Sequence, residues 1–296
     1  MSKFSTGLLY GVSAYLLWGL LPLYWQLVEE AGAYEILAHR GIWSLLLCVA
    51  LLALRKQIKS AYRMVREKRT LLILFLASGL LTINWGVYIW SVTVDRVVEA
   101  ALGYYITPLI NVAAGVFLLR ERLRPLQWTA VTLAFIGVAV LTIGFGSLPW
   151  IALVLSISWS SYSLIKKKLN LGALETLSVE TLFAFLPNFV YLLWLESNKE
   201  ALFGKGITSS LLLFGAGIAT VAPLLLFNGS TTRLPLSTVG LLQYITPTMM
   251  FFIGVFLNGE DMAPTKLLGF AFIWAALSLL SIDIRLLRSS KDQINL

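Results

Sequence analysis

The sequence predicts an all-α membrane protein of ten transmembrane helices, arranged as two five-helix repeats of inverted topology. Three observations predict it. The 296 residues break into ten apolar runs, each separated by charge or by Gly and Pro clusters. The phrase YYITPLINVAAGVFLLRERLRP at 104–125 recurs as QYITPTMMFFIGVFLNGEDMAP at 243–264, a constant offset of 139 positions. The charge that follows the two copies is opposite, basic after the first and acidic after the second.

A helix needs ~20 apolar residues to cross ~30 Å of hydrocarbon. The first half offers runs near 4–27, 36–54, 70–90, 97–119 and 125–144. The second offers 148–166, 176–195, 207–227, 236–257 and 265–284. The stretch 4–27 is too long for the apolar part of a signal peptide and lacks a small-x-small cleavage site, so it is expected to be a retained first span. Helices satisfy every backbone polar group within lipid, and the period-2 pattern of a membrane barrel is missing. The expected repeats are thus 4–144 and 148–284, followed by a cytoplasmic tail at 285–296.

Lys and Arg set the orientation. Alternate connections carry Lys3, the seven basic residues from Arg55 to Arg69, Arg120, Arg122, Arg124, Lys166, Lys167, Lys168, Arg233, Arg285, Arg288 and Lys291. These are eighteen of the 23 basic residues; the opposite connections hold only Arg96, Lys199, Lys205 and Lys266. That asymmetry places both termini and the 55–69 loop in the cytoplasm of a bacterial-type inner membrane. Five spans per repeat is an odd number, so the second copy enters upside down. Its closing phrase then falls on the external side, where Lys and Arg are avoided. Inverted repeats are a recurring construction of secondary transporters.

Composition excludes other classes. The chain is 58% hydrophobic and 13% charged, with a mean hydropathy of +0.82, far from the soluble range. Its net charge of +8 is a topology signal and an attraction to anionic lipid, so no nucleic-acid partner is expected. One His and one Cys leave no Cys-based metal site, and no phosphate loop or catalytic triad is present. Neither enzyme activity, nor a cofactor, nor a metal is expected.

The phrase from Pro108 to Gln127, Trp18-Gly-Leu-Leu-Pro22 and Leu37-Ala-His-Arg40 resemble the EamA module, duplicated in the drug/metabolite transporter superfamily. Asn84–Val92 and Ala101–Leu109 resemble more specifically the RarD group, named for chloramphenicol sensitivity. The resemblance spans nearly the whole chain and implies a ten-helix permease, with export favoured. The second repeat departs from the pattern, since Trp159-Ser160 stands near the place of Trp18-Gly19 and Gln243 replaces Tyr104.

A cavity for an organic solute is mostly apolar and aromatic, with a few orienting polar groups. In span 4, Tyr104, Pro108, Asn111 and Gly115 share one helical face, with Gln243 and Pro247 as repeat mates in span 9. Each Pro frees a backbone carbonyl four residues back. Span 3 adds Asn84 and Tyr88, and spans 1 and 6 add Trp18, Trp159 and Tyr162. Tyr24, Trp25 and Trp90 lie near the interface, where an aromatic belt is the expected role. The ionisable residues within spans are His39, Arg40, Glu99 and Glu180, candidates for coupling or gating. Snorkelling to headgroups is the competing role for His39, Arg40 and Glu180, and for Glu180 also pairing with one of Lys166–Lys168.

The expected partners are a small amphipathic organic solute and the bilayer, with a proton as candidate coupling ion and a homodimer as candidate assembly. A facilitator or importer of amino-acid-like metabolites, and a non-transporting receptor or assembly protein, are the alternatives left open.

Overall fold

The computed structural model describes residues 2–94, 96–143, 149–257, 259 and 264–294. The expected junction at 144–148 and the final two residues of the expected tail lie outside the described residues. So do the side chains of Lys266, Arg285, Arg288 and Lys291. Every described element is helical. In chain order they are α1 (Lys3–Gln26), α2 (Gly32–Leu54), α3 (Ile58–Arg66), α4 (Lys68–Thr93), α5 (Val97–Ala113) and α6 (Pro125–Ile143). They continue with α7 (Trp150–Leu169), α8 (Ala173–Ser197), α9 (Ile207–Thr231), α10 (Leu236–Leu242), α11 (Ile245–Phe252) and α12 (Pro264–Ile294).

Among the described residues, nine helical segments are long and apolar enough to cross a bilayer, with α10 and α11 together supplying one of them. The expected span at 148–166 corresponds to α7, which is not among the nine. Its dilution has a physical cause: Ser156, Ser158, Ser160, Ser163 and Lys166 are buried in the protein. A helix walled by α4 and α5 rather than by lipid can carry polar groups that find protein partners. Large apolar side chains such as Leu9, Phe135 and Phe256 lie exposed on the outer helix faces, as a lipid-solvated fold requires.

Three features depart from a simple run of spans. The stretch 55–69, expected as a loop, holds α3, a short helix with Lys59, Arg63 and Arg66. Its basic amphipathic pattern suits a membrane surface. Both copies of the repeated phrase unwind into a π turn, at Ala114–Leu118 and Ile253–Leu257, separated by the same offset as the sequence phrase. The second copy also breaks at Gln243–Tyr244. Pro247 has no N–H to give the Gln243 carbonyl, which instead accepts from the Thr246 N–H at 3.1 Å, a tighter turn.

Packing is close where side chains are small. A Cβ on Gly240 of α10 would sit 2.8 Å from both the Asn111 Cβ and the Pro108 carbonyl oxygen of α5. Carboxylates fasten helix starts to distant helices. Glu121 accepts from the backbone N–H groups of Leu236 (2.6 Å) and Ser237 (2.9 Å) at the head of α10, and from the Ser237 hydroxyl. Asp283 of α12 binds Arg124 at the head of α6, accepting from its Nε at 2.9 Å.

The candidate solute cavity

A cavity of about 450 Å³ lies between α1, α2, α4, α5, α7, α11 and the break that precedes α11, within the range of small-molecule sites. Its rim carries Gln26 and Glu29, both exposed, at the end of the molecule opposite Lys166–Lys168. Trp18, Trp85, Trp159, Tyr88 and Tyr104 give it aromatic walls. Polar groups are few: Asn84, Thr107, Gln243, Thr246 and Arg40.

The floor is a cluster of rings. Trp18 meets Trp159 at 5.3 Å and Phe227 at 5.6 Å between centroids, and Trp159 meets Phe227 at 5.3 Å. Tyr15 and Tyr162 pack beside Phe227, each at 6.3 Å, and all three are fully buried. Edge-on and offset contacts of this kind exceed their area burial by ~0.5–1.5 kcal/mol per pair. The cluster closes the cavity toward the basic end. Several buried polar atoms around it have no hydrogen-bond partner among the described residues: the Tyr15 hydroxyl, the Trp159 indole nitrogen, the Asn228 amide and the Ser230 hydroxyl.

Beneath the rings sits a buried ion pair. Lys166 Nζ approaches Glu180 Oε1 at 2.7 Å and donates to the Thr176 hydroxyl at 2.6 Å. The Tyr162 hydroxyl donates to the other Glu180 oxygen at 3.1 Å, and Ser78 of α4 donates to the Glu180 carbonyl at 2.9 Å. The pair joins α7 to α8. Of the roles weighed for Glu180, headgroup snorkelling does not describe this geometry, and pairing with Lys166 does.

The structure brings together Trp18, Asn84, Tyr88, Tyr104, Trp159, Gln243, Pro247 and Arg40 as lining residues. Asn84 is anchored to α7, donating to the Leu155 carbonyl at 2.8 Å and the Ser158 hydroxyl at 2.9 Å. Asn111, Pro108 and Tyr162 are not lining residues. Asn111 is fully buried and donates to Gln243 Oε1 at 3.1 Å, which orients that lining amide from behind. The helix face read from Tyr104 to Asn111 therefore divides: Tyr104 meets the cavity, while Pro108 and Asn111 press on Gly240 of α10.

The other ionisable candidates lie elsewhere. Glu99 accepts from the Ile151 N–H at 2.9 Å, at the start of α7, and pairs with Arg96 at 2.6 Å. His39 stands 3.7 Å from Glu35, accepts from the Trp43 indole at 3.1 Å and meets the Phe203 ring at 4.7 Å. Of the roles weighed for Arg40, headgroup snorkelling does not describe its geometry: its guanidinium lies 4.9 Å from the Trp25 ring centroid and 4.7 Å from that of Trp85, inside the cavity wall. Trp25 accordingly serves the cavity rather than the interfacial belt, because a cation in its reach turns the ring inward. Tyr24 is drawn to α9, where its hydroxyl donates to the Leu212 carbonyl. Among the described residues no group of three His, Cys, Asp or Glu could hold a metal.

Comparison with known proteins places these features. The family described as the EamA-like transporter family matches residues 5–143 and again 148–282. The chain is 48% identical to "Protein RarD" of Streptomyces exfoliatus, over 98% of this chain and 92% of that one. It is 41% identical to "Uncharacterized transporter YojE" of Bacillus subtilis, over 97% of each. A solved structure titled "Crystal structure of protein" superposes with a TM-score of 0.74 at 18% identity, covering 94% of this chain and 98% of that one, a likeness of fold.

Proposed function

Because the chain belongs to the EamA-like transporter family, we propose that it is a secondary transporter that exports a small amphipathic organic solute by alternating access. The observation that carries this reading is a cavity open at one end and closed at the other by the Trp18–Trp159–Phe227 cluster. Buried polar atoms without partners cost ~1–3 kcal/mol each. Those of Tyr15, Asn228 and Ser230 would gain water if the rings parted and the cavity opened at the basic end. Such groups suit a protein with a second state in which that side is wet.

The proposed architecture counts α7 as a tenth span and pairs residues 4–144 with 148–284 as inverted repeats. The double family match and the two π turns at one offset support it. The basic end is then cytoplasmic, along with both termini, in a bacterial-type inner membrane. The present form is open to the outside. With no phosphate loop in the chain, the proposed driving force is an ion or solute gradient, a proton being the coupling ion we favour. Export is taken from the resemblance of the Pro108–Gln127 phrase to drug/metabolite transporters. Metabolite profiles of medium and cytosol, with and without the protein, test it. A solute enriched in the medium only when the protein is present is expected; profiles that match throughout would contradict export.

A further inference from the structure

We propose that Arg40 is the anion-binding residue of the cavity, and that the solute is an aromatic or apolar monocarboxylate. Ionised groups buried within a membrane fold are costly unless paired or hydrated. The other embedded charges obey this. Glu180 has Lys166, Glu99 has Arg96, Asp283 has Arg124, and Glu35 accepts from the backbone N–H groups of Leu202 and Phe203. Arg40 is the exception: among the described residues no carboxylate lies within ion-pairing distance of it. A guanidinium keeps its charge at any physiological pH, so it cannot escape the cost by losing a proton.

What holds Arg40 supplies orientation without neutralising it. Its Nε donates to the Thr220 hydroxyl at 2.9 Å, and the faces of Trp25 and Trp85 take the cation. The two terminal nitrogens have no partner among the described residues, which leaves the forked donor pair that fits a carboxylate. Tyr88 and Tyr104 line the same cavity, and their hydroxyls are further donors for an acceptor-only ligand. Glu29, at the rim, is solvent-exposed and unpaired with Arg40. One cation within the cavity fits a single negative charge. The walls of Trp18, Trp85 and Trp159 fit an apolar or aromatic body behind it.

The inference rests on the transport reading, and the test separates the two. The full chain in nanodiscs is dialysed to equilibrium against radiolabelled hydrocinnamate, its neutral amide and phenylpropylamine, which share one size and differ in charge. Hydrocinnamate is expected to bind about ten- to hundredfold more tightly than the amide, the span of one to two charge-assisted hydrogen bonds. Arg40→Gln should remove that preference while amide binding stays within about twofold, and Arg40→Lys should restore part of it as a point charge without the fork. Should Arg40→Gln fail to fold, the wild-type comparison decides alone. Equal binding of anion and amide, no binding of any probe, or a preference that survives in Arg40→Gln overturns the assignment. Flux of the same probes into liposomes is read in parallel. Anion-selective binding without flux would reject transport and keep the site, whereas flux without anion preference would reject the site and keep transport.

Discussion

Lys166→Leu alone is expected to destabilise the protein by about 3–5 kcal/mol, the range for removing one partner of a buried pair. The loss is large because Glu180 would stay buried, keeping only the Tyr162 hydroxyl as a donor to its side chain. Glu180→Leu should be equally damaging, since it strands the Lys166 ammonium beside Thr176. The double variant Lys166→Leu/Glu180→Leu should recover most of the stability, because two apolar groups of similar volume leave no charge behind. Melting of the purified protein in detergent, followed by light scattering, reads all three. If the double variant melts as low as the singles, the pair is not the cause of the loss. Its transport also decides the role of Glu180. A structural pair predicts that pH-dependent flux survives in the double variant; its disappearance would place the coupling proton on the Lys166–Glu180 pair.

The second large effect is expected at Gly240. A side chain there has no room, since its first carbon would sit 2.8 Å from the Asn111 Cβ and 2.8 Å from the Pro108 carbonyl oxygen. One of those neighbours is backbone, so the helix itself must move. Gly240→Leu is expected to cost about 3 kcal/mol, at the upper end for overpacking, and Gly240→Ala about 1 kcal/mol. The change should also reach the cavity, because separating α10 from α5 breaks the bond by which Asn111 orients Gln243. Melting temperature and solute binding should therefore fall together. A Gly240→Leu protein with unchanged melting would show that α5 and α10 do not meet here.

Much of this arrangement was legible in the sequence, and the misses share a cause. Local signals carried the helices: apolar runs gave the spans, depth within a run picked Trp18 and Trp159, and helical faces with the repeat register picked Asn84, Tyr104 and Gln243. Partners distant in sequence were not legible. Glu99 read as a titratable candidate and Glu121 drew no notice, yet each binds the head of a helix, 52 and 115 residues away. Pro108 and Pro247 were each read as freeing a carbonyl within a span, but whether such a helix stays continuous, as at Pro108, or breaks, as at Gln243–Tyr244, depends on packing around it. Trp25 was read by depth alone as interfacial, and Arg40 as a coupling or gating candidate with snorkelling as its rival role. Their turn inward is set by Trp85 and Thr220, on helices far along the chain, and the signal that could have found them is the pairing of a span Arg with neighbouring indoles.

The central claim is that one cavity is reached from each side of the membrane in turn. Thr107 is the position to probe: it lines the cavity, is buried, and is close in size to cysteine. Thr107→Cys in a Cys48→Ala background, which removes the chain's one native cysteine, is treated with a membrane-impermeant thiol reagent in right-side-out and in inverted vesicles. Reaction is expected from both faces, faster from the face at which Gln26 and Glu29 rim the cavity, with the exposed Leu118→Cys inert in both. Reaction from one face only, however long the exposure, would contradict alternating access.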